Sequence, residues 1–546
     1  MRSFWPWMLI ITVAWIYILW RRLLAYLRYF QQEGYEAPRF LRWLKVQSLA
    51  DPAFWISLLA VFLYPPTPVI SIVLFLAAMT FLGLAQPDPR RSGKIPLRLT
   101  WRAKRILVVA FVLALAGWLA IAWIGVNSGL RAAFIASSTW LALLPLCLIA
   151  ANVLLVPYEK YVQAGYEAEA RRRIADVSPF VIGITGSYGK SSSKAMLAHI
   201  LKFYAPTLAA SGSINTRMGI TRHIREDLSY GYKYMVVEMG AFKTGSIHRL
   251  CRLTPPSAAL ITAVGDMHLE RFGSVDQIVK AKSELAQALP PGGLLVVNAD
   301  SPGALKIAKT SHCRTFLYGE TSTEDLTTRL QEIVFSKQGT SFVLHTKDAV
   351  YRCFTPLLGR PIILNLAGAF TLAIALGVDP DLVVAAMRTL RPVSNRLEVV
   401  EEGGISWIRD AYNSNQSGFR AALEVAAALP ANRRFLATPG VIELGSDQYG
   451  VNRALSKEAA MICDNTLVVS DTNRAAFEIG HRDCGRENSL IPVTNRTEAF
   501  QWLRKNVQAG DIVILENDLP DLYEQSAGLF LKYTRSASGS GRVRPS

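Results

Sequence analysis

Between Val181 and Lys194 the chain reads V-I-G-I-T-G-S-Y-G-K-S-S-S-K. A β-prone run, Pro179 to Ile184, enters a glycine-rich turn, and a helix-prone run, Ser192 to Phe203, leaves it. Strand, tight glycine turn and helix N-terminus in that order build a phosphate-binding loop within an α/β sheet. The backbone N–H groups of Gly186 to Lys190 are predicted to wrap phosphate oxygens, with Thr185, Gly186, Ser187 and Gly189 shaping the loop. Lys190 is placed to reach the β/γ-phosphates, and the Ser191 hydroxyl to hold Mg²⁺. The common G-x-x-x-x-G-K-[ST] pattern is not quite met, because Ile184 stands five residues before Gly189. The form present is T-G-x-x-G-K-S, Thr185 to Ser191.

The first 157 residues have a different character. Phe4 to Trp20 is apolar, ends in Arg21-Arg22 and lacks a small-residue cleavage site, so it reads as an uncleaved anchor. Pro52 to Tyr64, Thr67 to Ala85, Ile106 to Val126 and Ala132 to Val156 are further apolar runs. Five crossings are expected, or four if the short Pro52–Tyr64 run re-enters. The net charge of +17 is concentrated here: residues 1–157 hold 15 Lys and Arg against 4 Asp and Glu. That excess sits in the linkers 21–52 and 86–105, which is a topology signal rather than a nucleic-acid footprint. It places both linkers, and everything after Pro157, in the cytoplasm of an integral inner-membrane protein. Six widely spaced cysteines without a C-x-x-C pair fit reduced thiols there. Residues 158–177, with Arg171-Arg172-Arg173, read as a juxtamembrane connector facing anionic headgroups or solvent.

Beyond the loop, strands and helices alternate, which predicts an open, mostly parallel α/β sheet over residues 178–391. Ser211 to Gly219, containing Asn215, is too rich in Gly and Asn for regular structure. Lys233 to Glu238 is a buried-strand pattern ending in a carboxylate, where such folds hold Mg²⁺. Ala258 to Ala263 is another strand, followed by a segment with His268, and Ser274 to Leu289 is a helix carrying Lys282. Leu364 to Leu376 is an Ala-rich helix. A second α/β unit spans 392–532, with strand Ile405 to Arg409, the loop D-A-Y-N-S-N from Asp410, and a last strand Asp511 to Leu515. The tail 533–546 has the composition of a disordered segment.

Taken in order, T-G-S-Y-G-K-S, V-V-E-M-G-A, H-L-E-R-F-G-S, A-K-S-E-L, L-L-G-R-P-I-I-L-N, R-P-V-S-N-R-L-E-V-V, D-A-Y-N-S-N and E-L-G resemble the Mur ligases, over about two thirds of the chain. The resemblance implies an ATP-dependent, ADP-forming acid–amino-acid ligase: a substrate carboxylate takes the γ-phosphate as an acyl phosphate, which an amine then attacks. It implies two Mg²⁺ sites, with Ser191 and Glu238 at one, His268 at the second, and Lys282 as a carbamylated, anionic ligand. It further implies Asn365 on adenine, Asp410 on ribose and Arg396 near the γ-phosphate after domain closure.

Three departures bear on the substrate. The family's UDP-sugar domain is absent, with apolar spans in its place. G-R-H-N-x-x-N reads here G-R-P-I-I-L-N, so Pro361 and Ile362 replace polar residues. The closing V-L-[VL]-K-G-S reads I-V-I-L-E-N-D-L-P-D, so Glu516 and Asp518 bring acid to the incoming-substrate side, which favours an amine. With Asn215 and Asn413, these are the predicted substrate contacts. The expected partners are a lipid bilayer, a muropeptide-like or lipid-linked carboxylate, and an amino-acid or peptide amine. The alternatives are a poly-γ-glutamate synthase-like ligase, a non-catalytic nucleotide-binding membrane scaffold, or an ATP-driven transporter, against which no L-S-G-G-Q run is found.

Overall fold

The computed structural model describes residues 5–47, 96–128, 130–241, 243–265, 272–392, 396–410, 415–442 and 444–517, with scattered positions between 73 and 91. The chain divides into two compact units, one holding Met1–Val162 and the other Gln163–Asp518. In the first, helices α1 (Trp5–Gln32), α2 (Ala37–Gln47), α3 (Trp101–Ser128) and the start of α4 (Leu130–Val177) pack on one another. Their shared core includes Leu23, Leu27, Phe30, Phe40, Ala110 and Leu148. Large apolar side chains also point outward, among them Val108, Val112, Trp123, Val153 and Leu154.

Among the described residues, two helical stretches are long and apolar enough to cross a membrane by length and composition: Trp101–Ile121 and Thr139–Val177. The Pro52–Tyr64 run, much of Thr67–Ala85 and the 533–546 tail lie outside the described residues. The connector 158–177 continues the same helix as the preceding apolar run: α4 runs unbroken through both Pro145 and Pro157. An interior proline removes one helical hydrogen bond and costs about 3 kcal/mol. Packing on both sides offsets it: Leu148 and Ala151 are buried in the first unit, and Ala170 in the second.

The second unit holds two sheets. The larger has strands β1 (Phe180–Thr185), β2 (Thr207–Ala209), β3 (Tyr234–Glu238), β4 (Ala258–Ile261), β5 (Leu294–Asn298), β6 (Arg314–Gly319), β7 (Thr328–Ser336), β8 (Gly339–Thr346) and β9 (Val350–Thr355), in the order β2-β3-β1-β4-β5-β6-β7-β8-β9. Pairing is parallel as far as β7 and antiparallel from β7 to β9. The sheet is covered by α5 (Lys190–Lys202), α6 (Arg217–Asp227), α7 (Ser246–Leu253), α8 (Val275–Gln287), α9 (Pro302–Lys309), α10 (Arg360–Ala375) and α11 (Pro380–Met387). Helices on both faces make the inner strands apolar throughout, as in Y-M-V-V of β3. At Gly183 in β1 a Cβ would lie 2.7 Å from a Leu285 methyl, so the missing side chain is what lets α8 press against the strand.

The second sheet has β10 (Glu398–Glu402), β11 (Ile405–Asp410), β12 (Arg434–Thr438), β13 (Asn465–Val469), β14 (Leu490–Val493) and β15 (Ile512–Glu516), ordered β10-β11-β15-β12-β13-β14. It is parallel except at β10, and carries α12 (Gln416–Ala428), α13 (Gln448–Ile462), α14 (Arg474–Arg482) and α15 (Arg496–Asn506). Its core buries His481 completely, against the Ser456 hydroxyl at 2.7 Å and the Phe477 carbonyl.

Burial pushes the His481 imidazole down to about 4, the Phe477 carbonyl opposing and Arg486 adding to the shift. Below about pH 6.5 the unfolded chain takes up a proton that the buried ring refuses, so the native state loses stability as pH falls from 6.5 towards 4. The loss amounts to about 3 kcal/mol and vanishes above 6.5. Thermal denaturation across this range should show that slope, and His481→Gln should flatten it.

Candidate functional site

The carboxyl ends of β1, β3 and β4 lie side by side, because β1 sits between the other two. β1 feeds Gly186 at φ +157, where a Cβ would lie 1.9 Å from the Thr262 hydroxyl oxygen. At Gly189, φ is +78 and a Cβ would meet the Asn365 amide at 2.4 Å. Only glycine fits either position. The second contact also brings Asn365, from α10, directly onto the loop. The predicted helix start at Ser192 moves back to Lys190, because Gly189 ends the turn.

The loop's hydrogen bonds narrow the expected phosphate wrap. The N–H groups of Ser187 and Tyr188 donate to the Ala263 carbonyl, and the Thr185 hydroxyl donates to Met239 O, tying β1 to β3. These groups hold the loop's shape. The N–H groups of the first turn of α5, from Lys190, lack intrahelical partners and can face an anion. Lys190 Nζ itself donates to the carbonyls of Gly186, at 2.8 Å, and Ser187, at 2.9 Å.

At the end of β3, Glu238 is buried with three donors on its carboxylate. Ser191 Oγ donates to Oε2 at 2.8 Å, Asn215 Nδ2 to Oε1 at 3.1 Å, and Lys194 Nζ lies 3.4 Å from Oε2. Ser213 Oγ is 3.0 Å from Ser191 Oγ, and Lys194 also donates to Gly212 O. Lys194 is only 3% exposed, and a motif reading that stops at Ser191 passes over it. Its signal was its place one turn after Lys190, on the face that α5 turns to β3.

Lys282 is brought to the same place by α8. It is 4% exposed, and its ammonium is held far below the usual lysine range by burial and by the charge of Lys190, with Glu238 and Glu284 opposing. Lys190 is pushed down to about 8 by burial, with Glu238 opposing and Arg396 adding to it. Lys194 is lowered by burial and Arg396, again against Glu238. Three lysines thus bear on one carboxylate, and Arg396 bears on two of those lysines. Such a site is short of negative charge.

Arg396 and Asp410 stand where the second sheet begins. Asp410, at the end of β11, accepts from the Leu397 N–H at 3.3 Å, and burial pushes its carboxyl up against the pull of that bond and of Arg396. A cavity of about 470 Å³ opens beside α5, lined by Ser192, Met196, His199, Ile362, Arg391 and Arg396. Ile362, one of the residues at variance with the family pattern, forms part of its wall. Arg360, at the start of α10, pairs with Glu320 of the first sheet's loops and with Glu424 of α12, the latter at 2.8 Å, and so links the two α/β domains.

His268, Asn413 and Asp518 lie outside the described residues. Glu516 is described and differs from the acidic lining expected of it. It is the last residue of β15, fully buried, and in register with Asp410 on the neighbouring strand. The parallel pairing of β15 between β11 and β12 is what draws it inside.

The residues present fit a magnesium–nucleotide complex. Ser191 and Glu238 supply hard oxygen donors of the kind Mg²⁺ takes when it is bound through substrate phosphates.

A phosphate-loop sheet followed by a second Rossmann-like sheet, with cations gathered where they meet, defines a nucleotide-dependent ligase. Residues 184–373 match the Mur ligase middle domain, and residues 395–516 the Mur ligase glutamate ligase domain. The UDP-N-acetylmuramoyl-tripeptide--D-alanyl-D-alanine ligase of Mycobacterium tuberculosis H37Rv is 30% identical over 364 residues, covering 62% of this chain and 70% of that protein. The enzyme of the same name from Escherichia coli K12 is 32% identical over 297 residues, 54% of this chain and 65% of its own length. In structure, MurF from Acinetobacter baumannii superposes with a TM-score of 0.60 at 25% identity, over 66% of this chain and 78% of that one. MurF from Thermotoga maritima, solved with ADP, shares the fold at a TM-score of 0.58 and 22% identity, over 67% and 81%. The chain belongs to the Mur ligase family of ATP-dependent, ADP-forming amide ligases.

Gly189→Ala should separate the loop from Asn365, since the added methyl has no space and a positive φ. Calorimetric titration with ADP and Mg²⁺ is expected to show affinity lower by about 5- to 150-fold, from roughly 1–3 kcal/mol of strain. Unchanged affinity would mean that the contact does not serve the nucleotide.

Proposed function

We propose that this chain is a membrane-anchored ligase that activates a substrate carboxylate with ATP and couples it to an amine in peptidoglycan or related envelope synthesis. The observation that carries this reading is the set of Lys190, Lys194 and Lys282 around the Ser191–Glu238 pair, with Asn365 on the same loop. Joining a carboxylate to a triphosphate brings two anions together, and the Coulomb cost falls only if cations line the site.

Each residue then has a task. Lys190 leaves the loop carbonyls to reach the β/γ-phosphates, and the first turn of α5 supplies N–H donors. Ser191 and Glu238 would hold one Mg²⁺, with His268 and Lys282 toward a second; the metal supplies charge neutralisation at the phosphates. Lys282 suits carbamylation, because a buried amine held neutral is a nucleophile for CO₂ and the product is an anionic oxygen ligand. Asn365 would meet adenine, with the cavity walled by Ile362 beside it, and Asp410 would meet ribose. Arg396 would approach the γ-phosphate on domain closure. The carboxylate oxygen attacks phosphorus to give an acyl phosphate and ADP. The amine then attacks the acyl carbon, and phosphate leaves.

The relatives' names specify a UDP-linked muramoyl tripeptide and D-alanyl-D-alanine. The residues ahead of the matched ligase domains include long apolar helices, so the acyl substrate is taken to be muropeptide-like and lipid-linked, handled on the cytoplasmic side of four or five spans. The proposed division is 1–157 for the membrane part, 158–177 for the connector, 178–391 and 392–532 for the two ligase domains, and 533–546 for the tail.

The purified full-length protein should release ADP only when both a muropeptide carboxylate and an amine are supplied. Lys190→Ala should lower that rate by at least about a hundredfold, the scale of one lost transition-state donor. Efficient coupling of the soluble UDP-linked tripeptide with D-alanyl-D-alanine would exclude the lipid-linked substrate while leaving the ligase intact. ADP release that needs neither substrate would exclude the ligase.

A further inference from the structure

The loop Gly212–Thr216 touches the phosphate site at three points and is continuous with α6. Gly212 O accepts from Lys194, Ser213 Oγ meets Ser191 Oγ, and Asn215 Nδ2 donates to Glu238. Asn215 also receives the Gly240 N–H on its carbonyl, so it is held at both ends. Thr216 caps α6, and Arg217 is the first residue of that helix. The loop is thus fixed on its inner side by the site and on its outer side by whatever fixes α6.

Besides its apolar packing with Ile247 and Leu250 of α7, α6 is held by the last part of α4. Arg217 Nε is 2.6 Å from Glu167 Oε1. Arg225, one helix length away, is 2.7 Å from Glu169 Oε2 and stacks on the Tyr166 ring at 4.1 Å. Arg173 donates to the Arg225 carbonyl. Ala170 is buried beneath these pairs, together with Ile220 and Ile224 of α6. The two ion pairs sit at opposite ends of α6 and therefore set its position along α4 as well as its angle. Single surface pairs contribute little to stability. Two at the ends of a short helix, over an apolar seat, fix a register.

We propose that Glu167 and Glu169 are positioning residues for the magnesium–phosphate site, acting through Arg217, Arg225 and the Asn215 contact to Glu238. The inference rests on the nucleotide reading of that site but not on either coupled substrate. In effect the helix that carries the long apolar stretch also sets the geometry of a metal ligand. Partners that orient a ligand typically change metal affinity by about 10–100-fold when lost. Glu167 acts one link further out, so an effect of about fivefold is expected.

The test uses full-length protein in nanodiscs, with ADP binding measured calorimetrically over a Mg²⁺ series and melting followed in parallel. Glu167→Arg should raise the Mg²⁺ concentration for half-maximal binding about fivefold. Glu167→Arg combined with Arg217→Glu should return it to within about twofold of the unmodified chain, as coupled neighbours do. The pair Glu169→Arg and Arg225→Glu provides the same cycle at the other end. A lowered melting temperature with an unchanged Mg²⁺ series would overturn the proposal, because the pairs would then be merely structural. So would a shift that the exchanged pair does not restore. If the unmodified chain binds no ADP with Mg²⁺, the nucleotide reading fails along with it.

Discussion

Glu238 is the point on which the site depends. Its buried carboxylate receives Ser191 and Asn215 and stands beside Lys194, while Lys190 and Lys282 feel its charge. Two like charges 4 Å apart repel by about 4 kcal/mol at an effective dielectric of 20. Crowding lysines around one acid is therefore costly until anions arrive. Burial is the main cause of the lowered lysine pKa values, and the neighbouring cations add to it. On the proposed function, triphosphate and substrate carboxylate would relieve the crowding, so the unfavourable empty site and the favourable loaded one would have the same origin.

The scaffold makes this crowding possible through close approaches that side chains would forbid. Gly186 and Gly189 bring the loop against Thr262 and Asn365, and Gly183 admits α8 with Lys282. The second sheet adds Arg396 and Asp410, and Arg360 ties the domains through Glu320 and Glu424. Catalysis that joins two anions needs its cations fixed in advance. Here they are held by a sheet, two helices and an ion-paired arginine.

Much of this was legible from residues alone, where local pattern and chemistry agree. The strand–turn–helix at Val181, the strand ending in Glu238 and the helix bearing Lys282 all occur within a residue or two of their expected bounds. Their convergence was legible only as a family pattern, because nothing in the spacing of Asn365 or Lys282 places them beside Gly189 or Lys190. The burial of Lys194 is signalled only by its place one turn after Lys190, which a motif ending at Ser191 passes over. Glu516 was read as lining because its acidic neighbours dominate the local pattern, whereas sheet order decides its burial. The boundary drawn at residue 157 falls inside α4, which runs through Pro157 without a break.

The central claim is that a carboxylate is activated by phosphorylation at this site. It is tested most directly by carrying ¹⁸O in the acyl substrate's carboxylate and analysing the phosphate released during coupling. Transfer through an acyl phosphate places one labelled oxygen in each phosphate formed with ADP. Unlabelled phosphate, or label appearing in AMP, would contradict the account.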